Sequence, residues 1–260
     1  MNKSTLPMYN FYQDFYKTAA DSPVFSRYCK EVFGVDFSQD GFSDIGEING
    51  LIKAANIHAQ STVLDIGCGN GKMCEYIHRQ TGATVYGFDY SDTAIRRARE
   101  RTAGYDRLRF DVGVIGETEY PTAMFDAVLS VDTIFFADDM GAFVKQIHGW
   151  LKPGGVLAVM YGCFDQIEPR IGRDNNAFAA ALREYPYEAT DCTHNHYQFV
   201  KRKRRAAEKM ADDFRQAGLE RICDRLIIES IYDPDMTFDE FIQHYSRYMY
   251  IVKKGNGDNQ

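Results

Sequence analysis

Short apolar runs alternate with helical repeats of apolar residues through the middle of the chain. The runs have the length of buried parallel strands, and the repeats between them have the spacing of amphipathic helices. The predicted strands, with the turns that adjoin the third and fifth, cover residues 63–66, 84–89, 108–115, 124–132 and 151–160. Helices are predicted over residues 45–57, 92–102 and 142–150, and another from about residue 72. This alternation predicts an α/β protein with a doubly wound, mostly parallel sheet.

The hydrophobic pattern weakens after residue 160. We predict an insertion at 161–200 after the fifth strand and an amphipathic helix at 206–218. A sixth strand at 225–231 and a frayed tail at 255–260 are predicted to follow. Thr237 and Glu240 have the spacing of a capping box, which predicts a helix start. That helix would carry Phe241, Tyr245 and Tyr248 on adjacent turns.

A turn rich in glycine follows the first predicted strand. Its pattern is Asp65-x-Gly67-x-Gly69-x-Gly71, and a helix begins near Lys72. Glycine takes backbone angles closed to other residues and lets a ligand lie against the main chain beside a helix N-terminus, as in nucleotide-cofactor sites. The dinucleotide fingerprint Gly-x-Gly-x-x-Gly would require glycine at position 72, so the match to an NAD site is imperfect.

The turn resembles the first motif of the class I S-adenosylmethionine (SAM)-dependent methyltransferases, in particular the type 11/25-like small-molecule methyltransferases. The resemblance extends over residues 45–160 and includes Asp89 after the second strand, Phe125-Asp126 before the fourth, and Leu-Lys-Pro-Gly-Gly at 151–155. It implies a Rossmann-like sheet of seven strands in the order 3-2-1-4-5-7-6. It also implies SAM as the cofactor and S-adenosylhomocysteine (SAH) as the product.

The candidate cofactor residues begin with two acids and the glycines between them. The resemblance places Asp65, Gly67 and Gly69 in the turn that passes under the methionine end of the cofactor. Asp89 ends the second predicted strand, where a carboxylate can accept hydrogen bonds from both ribose hydroxyls. The alternative for Asp89 is a cap on the next helix, but Ser91 suits that N-cap better.

Three further residues complete the predicted cofactor site. Tyr90 either flanks the adenine or is a half-buried aromatic residue, since amphipathic rings serve both uses. Val114 occupies the position where many relatives place an acid against the adenine amino group, so we expect a backbone amide or a neighbouring side chain to recognise the adenine. Val131 ends the fourth predicted strand, and ligands of open parallel sheets lie outside such strand ends.

The residues after the fourth strand are candidates for the acceptor end of the site. Asp132, Thr133, Phe135 and Phe136 should face the transferred methyl group, and Phe136 is a candidate substrate contact. Asp132 is a candidate catalytic residue, either as a general base or by orienting a substrate amine. The alternative is that it caps the next turn.

Two other segments contribute candidates for the substrate and for catalysis. Tyr12 and Tyr16 share a predicted helix face; in the family such N-terminal segments often form a lid, and the alternative is packing against the sheet edge. Tyr161 begins the predicted insertion, where such folds keep substrate specificity. His194 and His196 are a candidate general base or surface residues. As a metal pair they lack an identifiable third ligand, so no metal is predicted.

We predict a single methyltransferase domain over residues 1–260. Residues 1–44 are predicted to form an N-terminal lid or cap, and residues 45–160 the SAM-binding core. A substrate-covering insertion at 161–200, the C-terminal part of the core at 201–254 and a tail at 255–260 follow. The pattern leaves open whether the protein is a monomer or a homodimer.

Charge and composition narrow the range of partners and compartments. The net charge of −7 leaves no overall electrostatic footprint for nucleic acid or an anionic membrane. The basic run at 201–205 is interpreted as a solvated helix start, with anion binding as the alternative. The six scattered cysteines indicate reduced thiols, and no segment reaches the ~20 apolar residues of a membrane span. The expected compartment is the cytoplasm.

The predicted activity is transfer of a methyl group from SAM to an oxygen, nitrogen or carbon nucleophile of a small molecule. Aromatic residues make up 14% of the chain and are concentrated where the site should be covered, which suggests an apolar or cationic acceptor. Two alternatives stay open. One is a protein that binds SAM without transferring its methyl group, and the other is an NAD(P)-dependent oxidoreductase.

Overall fold

A computed structural model of the chain describes residues 6–164, 172–229 and 235–257. The described strands form one sheet in the order β3-β2-β1-β4-β5-β7-β6. Their bounds are β1 Thr62–Ile66, β2 Thr84–Asp89, β3 Leu108–Val112, β4 Phe125–Val131, β5 Leu151–Phe164, β6 Tyr187–Asp191 and β7 Tyr245–Lys253. β7 alone runs antiparallel to its neighbours, β5 and β6. The predicted Rossmann-like fold and strand order are confirmed.

Helices cover both faces of this sheet. They are α1 Tyr9–Thr18, α2 Pro23–Phe33, α3 Ile45–Ala54, α4 Lys72–Thr81, α5 Asp92–Arg101, α6 Met140–Trp150, α7 Ala177–Ala181, α8 Thr193–Lys209, α9 Ala211–Gln216, α10 Glu220–Glu229 and α11 Phe238–Phe241. A 3-10 turn, Ile134–Phe136, follows β4. No helix in the described ranges has the length and apolar character needed to cross a bilayer.

Side chains of the central strands alternate between the two helical layers. Val63 of β1 packs with α3, α4 and α5, whereas its neighbour Leu64 packs with α6 and α7. Strands buried on both faces need apolar residues at successive positions, which explains the continuous apolar runs of the sequence. A third cluster joins α1 and α2 to α8, α9 and α10 on the side of the molecule that covers the strand ends.

Local hydrogen bonds start several helices where the sequence predicts. The Ser91 hydroxyl accepts a hydrogen bond from the Ala94 amide at 3.2 Å and caps α5. Thr237 and Glu240 form the reciprocal bonds of a capping box at the start of α11. Both contacts satisfy amide groups that have no partner within the first helical turn.

The predicted sixth strand at 225–231 is wrong where the structure describes it, because this segment up to Glu229 lies in α10. Three consecutive apolar residues there look like a strand, yet only Leu226 is buried and Ile228 is 68% exposed. Residues 230 and 231 of this prediction lie outside the described residues. The true sixth strand, β6, lies within the segment predicted to be an insertion.

The helix predicted to carry Phe241, Tyr245 and Tyr248 is also wrong beyond its first turn. It ends at Phe241, and β7 begins at Tyr245. The spacing of the three aromatic residues fits a helix. However, β7 lies in the sheet between β5 and β6 and is buried along most of its length. Tertiary burial therefore overrides the apparent helical period.

The basic run at 201–205 is not a solvated helix start. It lies in the second half of α8, where Lys203 is fully buried and pairs with Glu229 at 3.2 Å. Arg202 donates to the Val32 carbonyl and to Asp44. Arg202 and Lys203 are therefore engaged in contacts within the protein.

Candidate cofactor and acceptor site

A cavity of about 460 Å³ lies at the carboxyl ends of β1, β2 and β4, underneath α1. This volume is in the usual range for a small-molecule site. Its lining includes every residue predicted to bind the cofactor, namely Asp65, Gly67, Gly69, Asp89, Tyr90, Val114 and Val131. Four residues predicted for the acceptor end, Tyr12, Tyr16, Asp132 and Phe136, also line it.

The glycine turn after β1 forms the floor of the cavity. Gly67 and Gly69 have φ values of +71° and +53°, which other residues rarely adopt. A Cβ atom on Gly67 would lie 2.6 Å from Thr133 Cγ2, and one on Gly69 would overlap the Tyr16 hydroxyl. The Thr133 hydroxyl donates to the Ile66 carbonyl at 2.7 Å. Glycine is therefore required both for the backbone angles and for close packing against neighbouring segments.

Asp89 joins this turn to the end of β2. Its Oδ2 accepts a hydrogen bond from the Gly69 amide at 3.0 Å, and its Oδ1 accepts one from the Ser91 amide at 2.8 Å. The residue is 8% exposed and lines the cavity. Since an ionised carboxylate offers about four acceptor positions, the same group can also receive ribose hydroxyls.

Asp65 lies at the other side of the turn and is buried. Burial raises the pKa of this carboxyl to about 7, although a hydrogen bond that Cys74 Sγ donates at 3.2 Å acts in the opposite direction. The nearby charge of Asp89 raises the pKa further. A positive charge placed in the cavity would lower the pKa of Asp65, because it stabilises the ionised form of the carboxyl.

Aromatic rings form the wall of the cavity on the side of α1. The ring centroids of Tyr12 and Tyr16 are 6.3 Å apart, and Tyr12 and Tyr90 are separated by the same distance. The Tyr90 hydroxyl donates to the Pro7 carbonyl at 3.1 Å, and Gln13 accepts a hydrogen bond from the Ser91 hydroxyl at 2.8 Å. These contacts hold α1 against the end of β2.

Asp132 lies at the end of β4 in a left-handed backbone conformation, with φ of +57°. Arg247 of β7 binds both of its carboxylate oxygens, at 2.7 and 3.0 Å, and also pairs with Glu47 at 3.1 Å. Asp132 further accepts hydrogen bonds from the Phe42 amide and the Ser43 hydroxyl. Sequence reasoning missed Arg247 and Glu47, because nothing local indicates that they meet Asp132.

The structure does not bring three predicted residues to the cavity. Tyr161 is buried in the core, stacked on Phe178 at 5.4 Å, because β5 continues beyond its predicted end at 160. His194 is exposed at the start of α8 and packs against Phe238. His196 is fully buried and lies 6.0 Å from the ring of Phe42. The predicted substrate role of Tyr161 and catalytic role of the two histidines are therefore not supported.

Burial also argues against His196 as a general base. Neither of its ring nitrogens has a hydrogen-bond partner among the described residues. Burial lowers the pKa of His196 well below its usual value, and the positive charges of Arg247 and Lys203 lower it further. The ring is therefore neutral and packed within the core.

The hydrogen-bond acceptors and the charge of the cavity fit SAM. An acid beside β2 suits the ribose hydroxyls, and Asp65 and Asp89 provide the negative potential that a sulfonium and an ammonium group require. Gly67 and Gly69 line the cavity with main chain alone, because neither residue carries a side chain.

Comparisons with known proteins agree with this geometry. A family model described as a methyltransferase domain matches residues 64–159. Phosphoethanolamine N-methyltransferase 1 of Zea mays is 32% identical over 142 residues, which are 54% of this chain and 27% of that protein. Together, the fold, the site and the domain match define a SAM-dependent methyltransferase domain. The family match assigns residues 64–159 of this chain to a methyltransferase domain.

Two solved structures share the fold. Phosphoethanolamine N-methyltransferase 2 of Haemonchus contortus, in complex with phosphomonomethylethanolamine and SAH, superposes with a TM-score of 0.69 at 17% identity, covering 94% of this chain and 60% of that one. The [4+2]-cyclase SpnF has a TM-score of 0.64 at 15% identity and covers 82% of each chain. The chain spans 27 to 52% of the length of the first curated relatives that it matches.

Proposed function

We propose that this protein transfers a methyl group from SAM to a small-molecule acceptor and releases SAH. The observation that carries the proposal is the cavity at the strand ends, where the glycine turn lies between Asp65 and Asp89. A sulfonium methyl group is already a strong electrophile, so the protein contributes mainly alignment and exclusion of water.

Each part of the cavity has a distinct role in this proposal. Asp89 binds the ribose hydroxyls while it holds the Gly69 amide, and Tyr90 and Val114 border the adenine. Asp65 faces the methionine end of the cofactor. The wall formed by α1 keeps water from the reacting atoms.

The acceptor end of the cavity is formed by Tyr12, Tyr16, Phe136 and Asp132 in this proposal. Arg247 occupies both oxygens of Asp132, so we assign Asp132 to orientation of the acceptor and not to removal of its proton. A base is needed only when the acceptor must lose a proton before it can attack.

A second function has support from one structural neighbour. SpnF is a [4+2]-cyclase with the same fold, and a shared fold does not determine the reaction. The chain would then bind SAM without methyl transfer. The NAD(P)-dependent alternative loses support, because Lys72 stands where the dinucleotide fingerprint requires glycine and the domain match is to methyltransferases.

Calorimetric titration of the protein with SAM, SAH and NAD, followed by SAH release over a panel of acceptors, tests the proposal. We expect SAM and SAH to bind and at least one small acceptor to be methylated. Binding without product from any amine, phenol, carboxylate or activated carbon acid would favour the second function. Binding of NAD alone would contradict both.

The Gly69→Ala substitution tests the packing of the turn. A methyl group at position 69 would overlap the Tyr16 hydroxyl, and φ of +53° strains any residue other than glycine. We expect the affinity for SAM to fall at least about 10-fold, since the turn or Tyr16 must move within the cavity. Gly104→Ala is the matched control, because a Cβ there meets no atom within 4 Å. Equal affinities for the two variants would contradict the expectation.

A second test uses the titration of Asp65, whose pKa of about 7 exceeds the ordinary 3.8. A cationic ligand favours the ionised form, so binding lowers this pKa and releases protons near neutral pH. We expect the affinity for SAM to rise with pH up to about 7 and then level off. Without ligand the sign is opposite: the folded state holds the proton, and the free energy of unfolding falls as pH rises from 3.8 to about 7.

Calorimetry in buffers of different ionisation enthalpy measures the released protons. Asp65→Asn should remove the pH dependence of SAM affinity and that of the free energy of unfolding, because the amide does not titrate. SAH, which lacks the sulfonium charge, should show a weaker pH dependence than SAM. Proton release of the same size in wild type and Asp65→Asn would show that another group is responsible.

The compartment, the partners and the division of the chain remain part of the proposal. All six cysteines are present as thiols and not as disulfides in the structure, which supports a reducing compartment such as the cytoplasm. We infer a small molecule, not nucleic acid, as the acceptor, and we retain residues 1–44 as the lid. No described residue of the segment 161–200 lines the cavity, and part of it forms β6, so we do not retain this segment as a cover of the substrate. Residues 1–5 and 165–171 of these segments, and 258–260 of the predicted tail, lie outside the described residues.

A further inference from the structure

The cavity described above is strongly acidic. Eight aspartate and glutamate residues line it, and its described lining contains no lysine, arginine or histidine. Two of the eight, Asp138 and Asp139, are exposed at residues after β4. A cavity lined by one sign of charge concentrates ligands of the opposite sign and opposes ligands of the same sign.

Asp40 is a buried acid of this cavity, and one of its carboxylate oxygens accepts no hydrogen bond from the described residues. Its side chain is 7% exposed and lines the cavity, and its Oδ1 has no hydrogen-bond partner in the described residues. Lys203 and Arg225 approach its two oxygens only to 3.8 and 3.5 Å. Both cations also pair with Glu229, so their charge is shared. A buried acceptor without a hydrogen-bond donor is costly, and a ligand N–H group would remove that cost.

Aromatic rings lie beside this carboxylate. Tyr12, Tyr16 and Tyr90 form one wall of the cavity, and the negative charge of Asp40 acts on both Tyr12 and Tyr16. Burial raises the pKa of both hydroxyls well above the usual value, and the neighbouring acids raise it further, so the rings stay neutral. Neutral aromatic faces next to a carboxylate are the combination that binds ammonium groups.

We propose that the methyl acceptor is an amine that carries no phosphate group, bound as its ammonium form between Asp40 and the tyrosines of α1. This inference rests on the proposed methyltransferase function and names its substrate class. The acceptor must be small, because it shares about 460 Å³ with the cofactor. A phosphate ester would bring additional negative charge into an acidic cavity, although several relatives are phosphoethanolamine N-methyltransferases.

The transfer step is balanced without any other reactant. The bound ammonium loses one proton to bulk solvent before water is excluded from the reacting atoms, which leaves a lone pair on nitrogen. That pair forms the new N–C bond to the methyl carbon as the C–S bond breaks, and the two electrons of that bond remain on sulfur in SAH. The methylated amine again carries a positive charge, so it keeps its attraction to Asp40 until release.

SAH release with matched acceptor pairs tests the substrate class. The probes are ethanolamine with phosphoethanolamine, and tyramine with its phosphate ester, together with a phenol and a carboxylate that lack nitrogen. We expect kcat/KM for the better free amine to exceed that of its ester at least about 10-fold, which corresponds to 1.4 kcal/mol. Preference for the esters, or methylation of only the nitrogen-free acceptors, overturns the inference while the methyltransferase function stands. Methylation of no acceptor of any class overturns both.

Variants at position 40 test the binding role. Asp40→Asn should raise KM for the amine at least about 10-fold with SAM affinity unchanged, because it removes the charge that pairs with the ammonium. Asp40→Glu retains the charge and should restore part of the loss. Asp106→Asn, at an exposed loop position, is the matched control and should behave as wild type. If Asp40→Asn fails to fold, the KM of Asp40→Glu for the amine and the comparison of the acceptor pairs test the proposal instead. An unchanged KM in folded Asp40→Asn would contradict the assignment.

Discussion

Replacement of Asp89 by alanine is expected to weaken the binding of both SAM and SAH at least about 100-fold. Two charge-assisted hydrogen bonds to the ribose hydroxyls are worth about 1.5–3 kcal/mol each, and a 100-fold loss requires only about 2.7 kcal/mol. The substitution also leaves the Gly69 amide without its carboxylate acceptor, so the glycine turn loses one of the hydrogen bonds that hold it. Calorimetric titration of wild type and variant measures the change.

Asp111→Ala is the matched control for Asp89→Ala. Asp111 lies on the adjacent strand β3, but its side chain is exposed and pairs with Arg99 at 3.1 Å. We expect wild-type affinity for this variant. The affinity of Asp89→Asn for SAM and SAH should lie between those of Asp89→Ala and Asp111→Ala, since asparagine keeps an acceptor oxygen but loses the charge. Wild-type affinity in a folded Asp89→Ala protein would show that the cofactor does not contact this strand end.

Replacement of Arg247 by methionine is expected to lower the free energy of unfolding by about 3–5 kcal/mol. Arg247 is fully buried and pairs with both Asp132 and Glu47, so methionine would leave two buried carboxylates without a counter-charge. Burial raises the pKa of Glu47 even with Arg247 present. Urea denaturation of the wild type and the variant measures the difference.

Arg215→Met makes the same chemical change at an exposed ion pair. Arg215 is 59% exposed and pairs with Asp212 at 2.5 Å, a type of contact worth at most about 1 kcal/mol. Addition of Asp132→Asn and Glu47→Gln to Arg247→Met should recover part of the stability, because the unpaired charges are then removed. A loss below about 1 kcal/mol in Arg247→Met would contradict the assigned role of the buried arginine.

The cofactor half of the site is predictable from sequence because its information is local. Asp65, Gly67, Gly69 and Asp89 each lie at the end of a strand or within a few residues of it, and parallel strands bring their carboxyl ends to one edge. The backbone then places these groups around one cavity whatever the rest of the chain does. The same reasoning explains why Val114 and Val131 are also found there.

The acceptor half could not be predicted because its contacts connect distant parts of the chain. Arg247 meets Asp132 across 115 residues and Glu47 across 200, and neither spacing leaves a sequence signal. The position of Tyr161 could not be predicted for a different reason. β5 is buried at successive positions on both sides of residue 160, so nothing local marks an end there, and pairing with β7 extends β5 past the predicted limit.

The order in which the sheet is assembled follows from the position of β7. It is the last described strand in the chain, yet it lies between β5 and β6 and supplies the arginine that holds Asp132. During synthesis on the ribosome, β1 to β6 emerge before this partner exists, so the acceptor end of the cavity stays open until β7 enters the sheet. Pairing over such separations is slow because a long loop must close first. Nascent chains should therefore complete the acceptor end of the cavity only after β7 has entered the sheet.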